Sequence, residues 1–230
     1  MIHSFKVVFF DAGGTLFHPW PSVGEIYARV GSKYGCRGEA AKLEKLFRDA
    51  WIKRDGLLNL ASHNNEKIER DWWRNLVHEI FTTAGGVENF EIFFDELYHC
   101  FGEAGAWRVY PGVLEVLEEV KRRGKKIAII SNWDSRLFNL CEGLGVKQHF
   151  EFILASAVFG ASKPGPRIFE EALRKAGVEA HEAVHVGDSL EDDIQGALGV
   201  GMKAILIDRS HKPRKHPIAP TIRDLKELLE

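Results

Sequence analysis

The sequence predicts an α/β fold, a mostly parallel sheet with helices on its faces and an all-helical block inserted after the first strand. Two observations predict the sheet. Short β-prone apolar runs recur at residues 5–10, 126–131, 152–155, 183–187 and 203–207, and stripes at helical spacing lie between the later ones. A third observation predicts the insert. From about residue 22 to residue 106, helical stripes follow one another with no comparable strand signal between them.

Phe5-Lys6-Val7-Val8-Phe9-Phe10 is apolar on both of its alternating faces, as a strand buried on both sides of a parallel sheet must be. Leu43, Leu46, Phe47, Ala50 and Trp51 form the first helical stripe of the insert. Trp72, Trp73, Leu76, Val77, Ile80 and Phe81 form the second, and Phe90, Phe93, Phe94, Leu97, Tyr98 and Phe101 the third. Gly85-Gly86 and the glycines at 102 and 105 punctuate the block. Tyr110-Pro111-Gly112 opens the next helix, marked by Val113, Val116, Leu117 and Val120. Ile168, Phe169, Ala172, Leu173 and Ala176 mark another. Residues 210–220 are basic and proline-rich and read as a solvated loop before a last helix.

With 230 residues, 45% hydrophobic and 28% charged, the chain is long enough to bury a substantial core and has the composition of a soluble globular protein. A formal net charge of −2 without a long basic run gives no footprint for a nucleic-acid partner. Cys36, Cys100 and Cys141 are odd in number and widely spaced, which suits a reducing compartment and offers no disulfide framework or zinc pair. No signal-peptide pattern opens the chain, and no apolar run approaches the ~20 residues of a membrane helix. The expectation is a cytoplasmic protein without a membrane partner.

Four segments sit at or just beyond the ends of apolar runs: Asp11-Ala12-Gly13-Gly14-Thr15, Ser131-Asn132, Lys163-Pro164-Gly165-Pro166, and Gly187-Asp188-Ser189-Leu190-Glu191-Asp192-Asp193. Parallel sheets bind ligands beyond the carboxyl ends of their strands. Asp11 is placed there as a carboxylate able to attack phosphorus. Gly13 and Gly14 would let backbone N–H groups turn toward phosphate oxygens as an anion-binding nest. Ser131 could donate to a phosphate oxygen, and Lys163 could neutralise charge shared by phosphate and nucleophile. Asp188 with Asp192 or Asp193 could hold Mg²⁺ together with Asp11, since that ion prefers oxygen ligands. Taken singly, each segment has a plainer reading: a turn at Asp11, a helix cap at Ser131, a solvated lysine, acids favouring a helix N-terminus. All four at strand ends are much harder to obtain by chance.

On these motifs the chain resembles the haloacid dehalogenase superfamily of hydrolases. The stretch from Asp11 to Phe17 and Ser131-Asn132-Trp133-Asp134-Ser135-Arg136 look closest to its haloacid dehalogenase-like hydrolase domain-containing group. The resemblance implies a Rossmann-like three-layer core of residues 1–17 and 107–230, with a mobile helical cap of residues 18–106. It implies a Mg²⁺-dependent phosphatase acting on a small phosphorylated metabolite, with Asp11 as nucleophile and metal ligand. Thr15 and Ser131 would contact phosphate, Lys163 would balance charge, and Gly13, Gly14 and Asn132 would bind substrate. Asp188, Asp193 and the Gly13 carbonyl would complete the metal site, while Asp192 departs from the Asn often found there.

Phosphatases of this superfamily usually carry an aspartate two residues after the nucleophile, and this chain has Gly13. General acid–base assistance is worth about 10²–10⁴-fold, so monoester turnover should be slow unless another group substitutes. His18 and Asp134 are candidates for that role. Three alternatives remain open in the sequence. A haloacid dehalogenase would read Arg48 as its halide-binding arginine. A phosphonoacetaldehyde hydrolase would need an insert lysine such as Lys33 or Lys53. A weakly active homologue would serve as a binding protein.

Overall fold

In the computed structural model, residues 1–60, 64–210 and 217–230 are described. The sheet is built around β1 (Val7–Phe10), whose alternate residues face two separate apolar layers. Val7 and Phe9 pack with Ile168, Phe169 and Ala172, whereas Val8 and Phe10 pack with Val113, Val116, Leu117 and Val120. A strand apolar on both sides is thereby buried on both sides.

After β1 the chain forms β2 (Phe17–Pro19), then four helices: α1 (Val23–Ser32), α2 (Ala40–Lys53), α3 (Glu66–Ala84) and α4 (Phe90–Cys100). It returns through β3 (Trp107–Val109), which pairs antiparallel with β2. Ser22 caps α1 and Asn65 caps α3 by accepting N–H groups of the first turn, and α3 stops at Gly85. The four helices share their own apolar interior, with Ile26, Leu43, Ile80 and Phe93 at its centre.

The remaining elements build the sheet and its flanks. They are α5 (Val113–Arg122), β4 (Lys126–Ser131), α6 (Arg136–Gly143), β5 (Ile153–Ala155), α7 (Ser156–Phe159), α8 (Pro166–Ala176), β6 (Ala183–Gly187), α9 (Gly196–Gly199), β7 (Lys203–Ile207) and β8 (Thr221–Ile222). Strand order is β5-β4-β1-β6-β7-β8, all parallel. β1 therefore lies where the order reverses, with β4 on one side and β6 on the other, and a crevice opens beyond the strand ends at such a point.

The two helical stripes outside the insert and the three within it form as expected, and α8 begins two residues earlier with Pro166 in its first turn. Helix α1 and the β2–β3 ribbon are additions to the sequence reading. The segment after β6 starts as a π-wound turn, Leu190–Gln195, before continuing as α9. The last helix is corrected to a short 3₁₀ turn, Leu225–Leu229. Of the basic loop at 210–220, residues 211–216 lie outside the described residues. Among the described residues no helix is long and apolar enough to cross a membrane.

Polar contacts join the helical insert to the sheet-bearing part. The Tyr98 hydroxyl donates to Asp134 Oδ2 at 2.5 Å, and Glu66 accepts from the Ser135 N–H at 2.9 Å. The buried Asn64 amide nitrogen lies within 3.0 Å of both Ser156 Oγ and Ser162 Oγ. Trp107, at the foot of the ribbon, touches the apolar interiors on both sides.

Candidate active site

Asp11 follows β1 directly, and its N–H donates to the Val186 carbonyl at 2.9 Å, which continues the ladder one residue past the strand. Ser131 ends β4, and its hydroxyl donates to Asp11 Oδ1 at 2.9 Å. Lys163, in the loop before α8, places Nζ 2.6 Å from Asp11 Oδ1 and 2.6 Å from Asp193 Oδ1. Its side chain is 2% exposed. Burial works against the ammonium charge, but the two carboxylates outweigh it and hold the lysine above its usual range.

Asp193 is pinned from three directions. Its Oδ1 meets Lys163 and the buried His185 Nε2, the latter at 2.8 Å, and its Oδ2 accepts the Ser189 N–H at 3.0 Å. Burial pushes its carboxyl up, and Lys163 with His185 overcome that to hold it below the usual carboxylate range. Asp188 faces the open cleft. Crowding by protein, then the like charges of Asp11 and Asp193, push its carboxyl up to about 8.

Oxygens of Asp11, Asp188 and Asp193 lie within 4.8 Å of one another. With all three ionised, as a bound cation would favour, the carboxylates carry two negative charges beyond what the Lys163 ammonium balances. Hard oxygen donors with surplus negative charge fit a divalent cation, and these residues could hold one. Because Asp193 Oδ1 is already shared by Lys163 and His185, its Oδ2 is the oxygen nearer to being spare.

Several of the expected site residues already have protein partners in this geometry. Thr15 is fully buried, and its hydroxyl donates to Asp188 Oδ1 at 3.3 Å instead of facing the cleft. The Gly14 N–H donates to the Phe17 carbonyl at 2.9 Å, so it does not join an anion nest. Gly14 has φ +78°, and a Cβ there would stand 2.3 Å from Asp188 Oδ2, so the residue is small to admit that carboxylate. Asn132 spends both ends of its side-chain amide on the Lys163 backbone. Asp192 is half-buried beside the cleft with its carboxyl pushed up to about 6 by burial.

Gly13 borders the cleft beneath Trp133. A Cβ at Gly13 would stand 3.1 Å from Trp133 Cζ3, tighter than ordinary contact. That ring is itself packed against Phe17 and Trp107, at centroid distances of 5.9 and 5.0 Å. Neither proposed substitute acid reaches the cleft. The His18 ring packs on Tyr110 at 4.5 Å, with Nδ1 against the Pro19 carbonyl. Asp134 is fully buried, and although burial works to raise its pKa, the Arg136 bonds and charge hold it lowered and ionised.

Sequence reasoning missed four residues that shape the site: Trp133 above Gly13, Arg136, His185 behind Asp193, and Arg209. The Arg209 guanidinium donates to the Thr15 carbonyl at 2.7 Å and lies 3.8 Å above the Tyr110 ring, which steadies the loop after Asp11. Only His185 left a signal, a polar residue inside an otherwise apolar buried strand.

The family model for haloacid dehalogenase-like hydrolases matches residues 5–201. The chain belongs to the haloacid dehalogenase-like hydrolase family. This hydrolase is 34% identical to the mouse haloacid dehalogenase-like hydrolase domain-containing protein 3, over 95% of its length and 86% of the relative's. It is 29% identical to a protein named phosphoserine phosphatase from Thermus thermophilus, over 97% of both chains. Among solved structures, a HAD phosphatase from Thermococcus onnurineus superposes with a TM-score of 0.67 at 26% identity, over 97% of this chain and 96% of that one.

Proposed function

We propose that this hydrolase is a Mg²⁺-dependent phosphatase that forms an aspartyl-phosphate on Asp11 and is slow with poor leaving groups. One observation carries the reading. The Asp11 carboxylate is clamped through Oδ1 by both Ser131 and Lys163, while Oδ2 has no hydrogen-bond partner among the described residues. Clamped in this way, Asp11 keeps Oδ2 for attack on phosphorus.

As the new P–O bond to Asp11 forms, the ester P–O bond breaks and its electron pair leaves with the alcohol oxygen. Lys163 and Ser131 hold negative charge at the nucleophile end of that transfer. No acid stands at position 13, so the departing oxygen takes its proton from water. A second water then attacks phosphorus and releases phosphate, restoring the Asp11 carboxylate. A divalent cation held by Asp11, Asp188 and Asp193 would neutralise charge on the phosphoryl oxygens. The phosphatase names among the relatives support this choice.

The rival chemistries find less to work with. Among the described residues, Lys163 is the only lysine lining the cleft, while Lys33 and Lys53 pair with Glu96 and Glu79 at the surface. Arg48 does not line the cleft, and the arginine that does, Arg136, is paired with Asp134. The test is acid quenching during p-nitrophenyl phosphate hydrolysis in Mg²⁺, followed by peptide mapping. The expected result is phosphate on the Asp11 peptide and loss of turnover in Asp11→Asn. Turnover surviving that substitution would sink the reading, and stoichiometric label without turnover would make the chain a binding protein.

A further inference from the structure

The cleft over Asp11 continues into a cavity of about 620 Å³, a volume that houses a drug-sized molecule. Its far wall is aromatic, made by Tyr27 of α1, Phe47 and Trp51 of α2, Trp73 of α3, Phe94 of α4 and Phe101 just beyond. Four of these residues, Phe47, Trp51, Trp73 and Phe101, are only half-buried although they line the cavity. Flat apolar bodies gain most from such a wall.

The ionisable residues of the wall point the same way. Asp55, Glu69, Glu191 and Asp192 line the cavity, with Asp55 and Glu191 exposed at its mouth. Only two cations line it among the described residues, and both are spent. Lys163 is held by Asp11 and Asp193. Arg136 gives Nη2 to Asp134 at 2.7 Å and Nη1 to the Tyr98 carbonyl at 2.6 Å, with its guanidinium 3.4 Å over the Tyr98 ring. A carboxylate entering here would shed water and meet no free partner.

We propose that the ligand of this cavity is the phosphate monoester of an uncharged alcohol with a flat apolar body, and that carboxylate-bearing phosphates are rejected. The proposal rests on the phosphatase reading for the phosphate end and on the wall for the rest. It sets this chain apart from the relative named for phosphoserine, whose substrate carries a carboxylate.

Isothermal titration in Mg²⁺ tests the wall without turnover, using 3-phenylpropylphosphonate and 3-carboxypropylphosphonate as non-hydrolysable probes. The phenyl probe is expected to bind at least about tenfold more tightly, equivalent to ~1.4 kcal/mol. Ile52 lines the cavity and is 71% exposed, so Ile52→Arg adds a cation without burying it. That variant is expected to narrow the ratio by about threefold or more, through tighter binding of the carboxylate probe. Equal affinities in the wild type, no binding of the phenyl probe at millimolar concentration, or an unchanged ratio in Ile52→Arg would overturn the proposal. A parallel p-nitrophenyl phosphate assay separates the two claims. Ranked binding without hydrolysis keeps the wall and removes the phosphatase, and hydrolysis with equal binding does the reverse.

Discussion

Asn132 holds Lys163 by both of its backbone polar groups, accepting the lysine N–H at 2.8 Å and donating to its carbonyl at 2.9 Å. Lys163 sits on a loop, yet this pair fixes it to the end of β4 beside Ser131. Asn132→Ala should leave a Lys163 N–H without its partner and cost ~1–3 kcal/mol of stability. A shift of the ammonium by about 1 Å should lower kcat by roughly 10²-fold. Denaturant titration and steady-state kinetics check the two effects. A variant with reduced stability but full kcat would show that the clasp only supports the fold.

The contact between Gly13 and Trp133 predicts how the missing acid can be restored. Gly13→Asp alone meets the indole ring at 3.1 Å, so it should help little. Combined with Trp133→Leu, it should raise hydrolysis of alkyl phosphates by about 10-fold or more, toward the range of general acid assistance. p-Nitrophenyl phosphate, whose leaving group departs unaided, should gain far less. Equal gains for both esters in the double variant would refute this account.

Metal binding should appear as stability. A divalent cation at 100 times its Kd adds ~2.7 kcal/mol, and in a chain of this length each kcal/mol moves Tm by roughly 2–4 °C. Mg²⁺ should therefore raise Tm by several degrees, and EDTA should reverse the rise. Asp188→Asn removes one of the three clustered carboxylates and should abolish it. Calorimetric scans with and without Mg²⁺ read the difference directly.

Glu69 gives a pH signature. It is 1% exposed, and burial pushes its carboxyl up from 4.5 to about 7. Asn64 and Arg136 oppose that rise, and Asp134 and Glu66 add to it. Between pH 4.5 and 7 the folded protein holds the Glu69 proton more firmly than the unfolded chain. The contribution is thus complete below pH 4.5 and fades as pH climbs through 7, by ~3 kcal/mol at most. Wild type should lose stability relative to Glu69→Gln across that window, measured by urea titration at several pH values. Parallel curves would assign the slope to other groups.

Much of this was legible in the sequence because the signals were strong and local. Apolar runs rich in Ile and Val marked β4, β6 and β7 to the residue, and the carboxylates and lysine followed from their places at strand ends or in the loop beyond one. Helix α1 escaped because Gly24 and Gly31 dilute its stripe of Val23, Ile26, Tyr27 and Val30. The β2–β3 ribbon is three residues per strand and contains Pro19, too short for a period to show. Thr15 and Asn132 have protein partners that the sequence hides. Their chemistry suits phosphate, and only the fold shows that Asp188 and the Lys163 backbone claim them first. Trp133 was invisible as a functional residue, since its effect is to occupy space over a glycine 120 positions away.

The joint between the helical insert and the sheet is stitched mainly by Tyr98 to Asp134, Glu66 to Ser135 and Asn64 to two serines. Water could take over each of those polar stitches, but parting the two sides would also uncover the apolar contacts that Trp107 makes with both interiors. Opening of the joint would thus be resisted by buried ring surface as well as by hydrogen bonds, with the tryptophan at the ribbon's foot common to both sides.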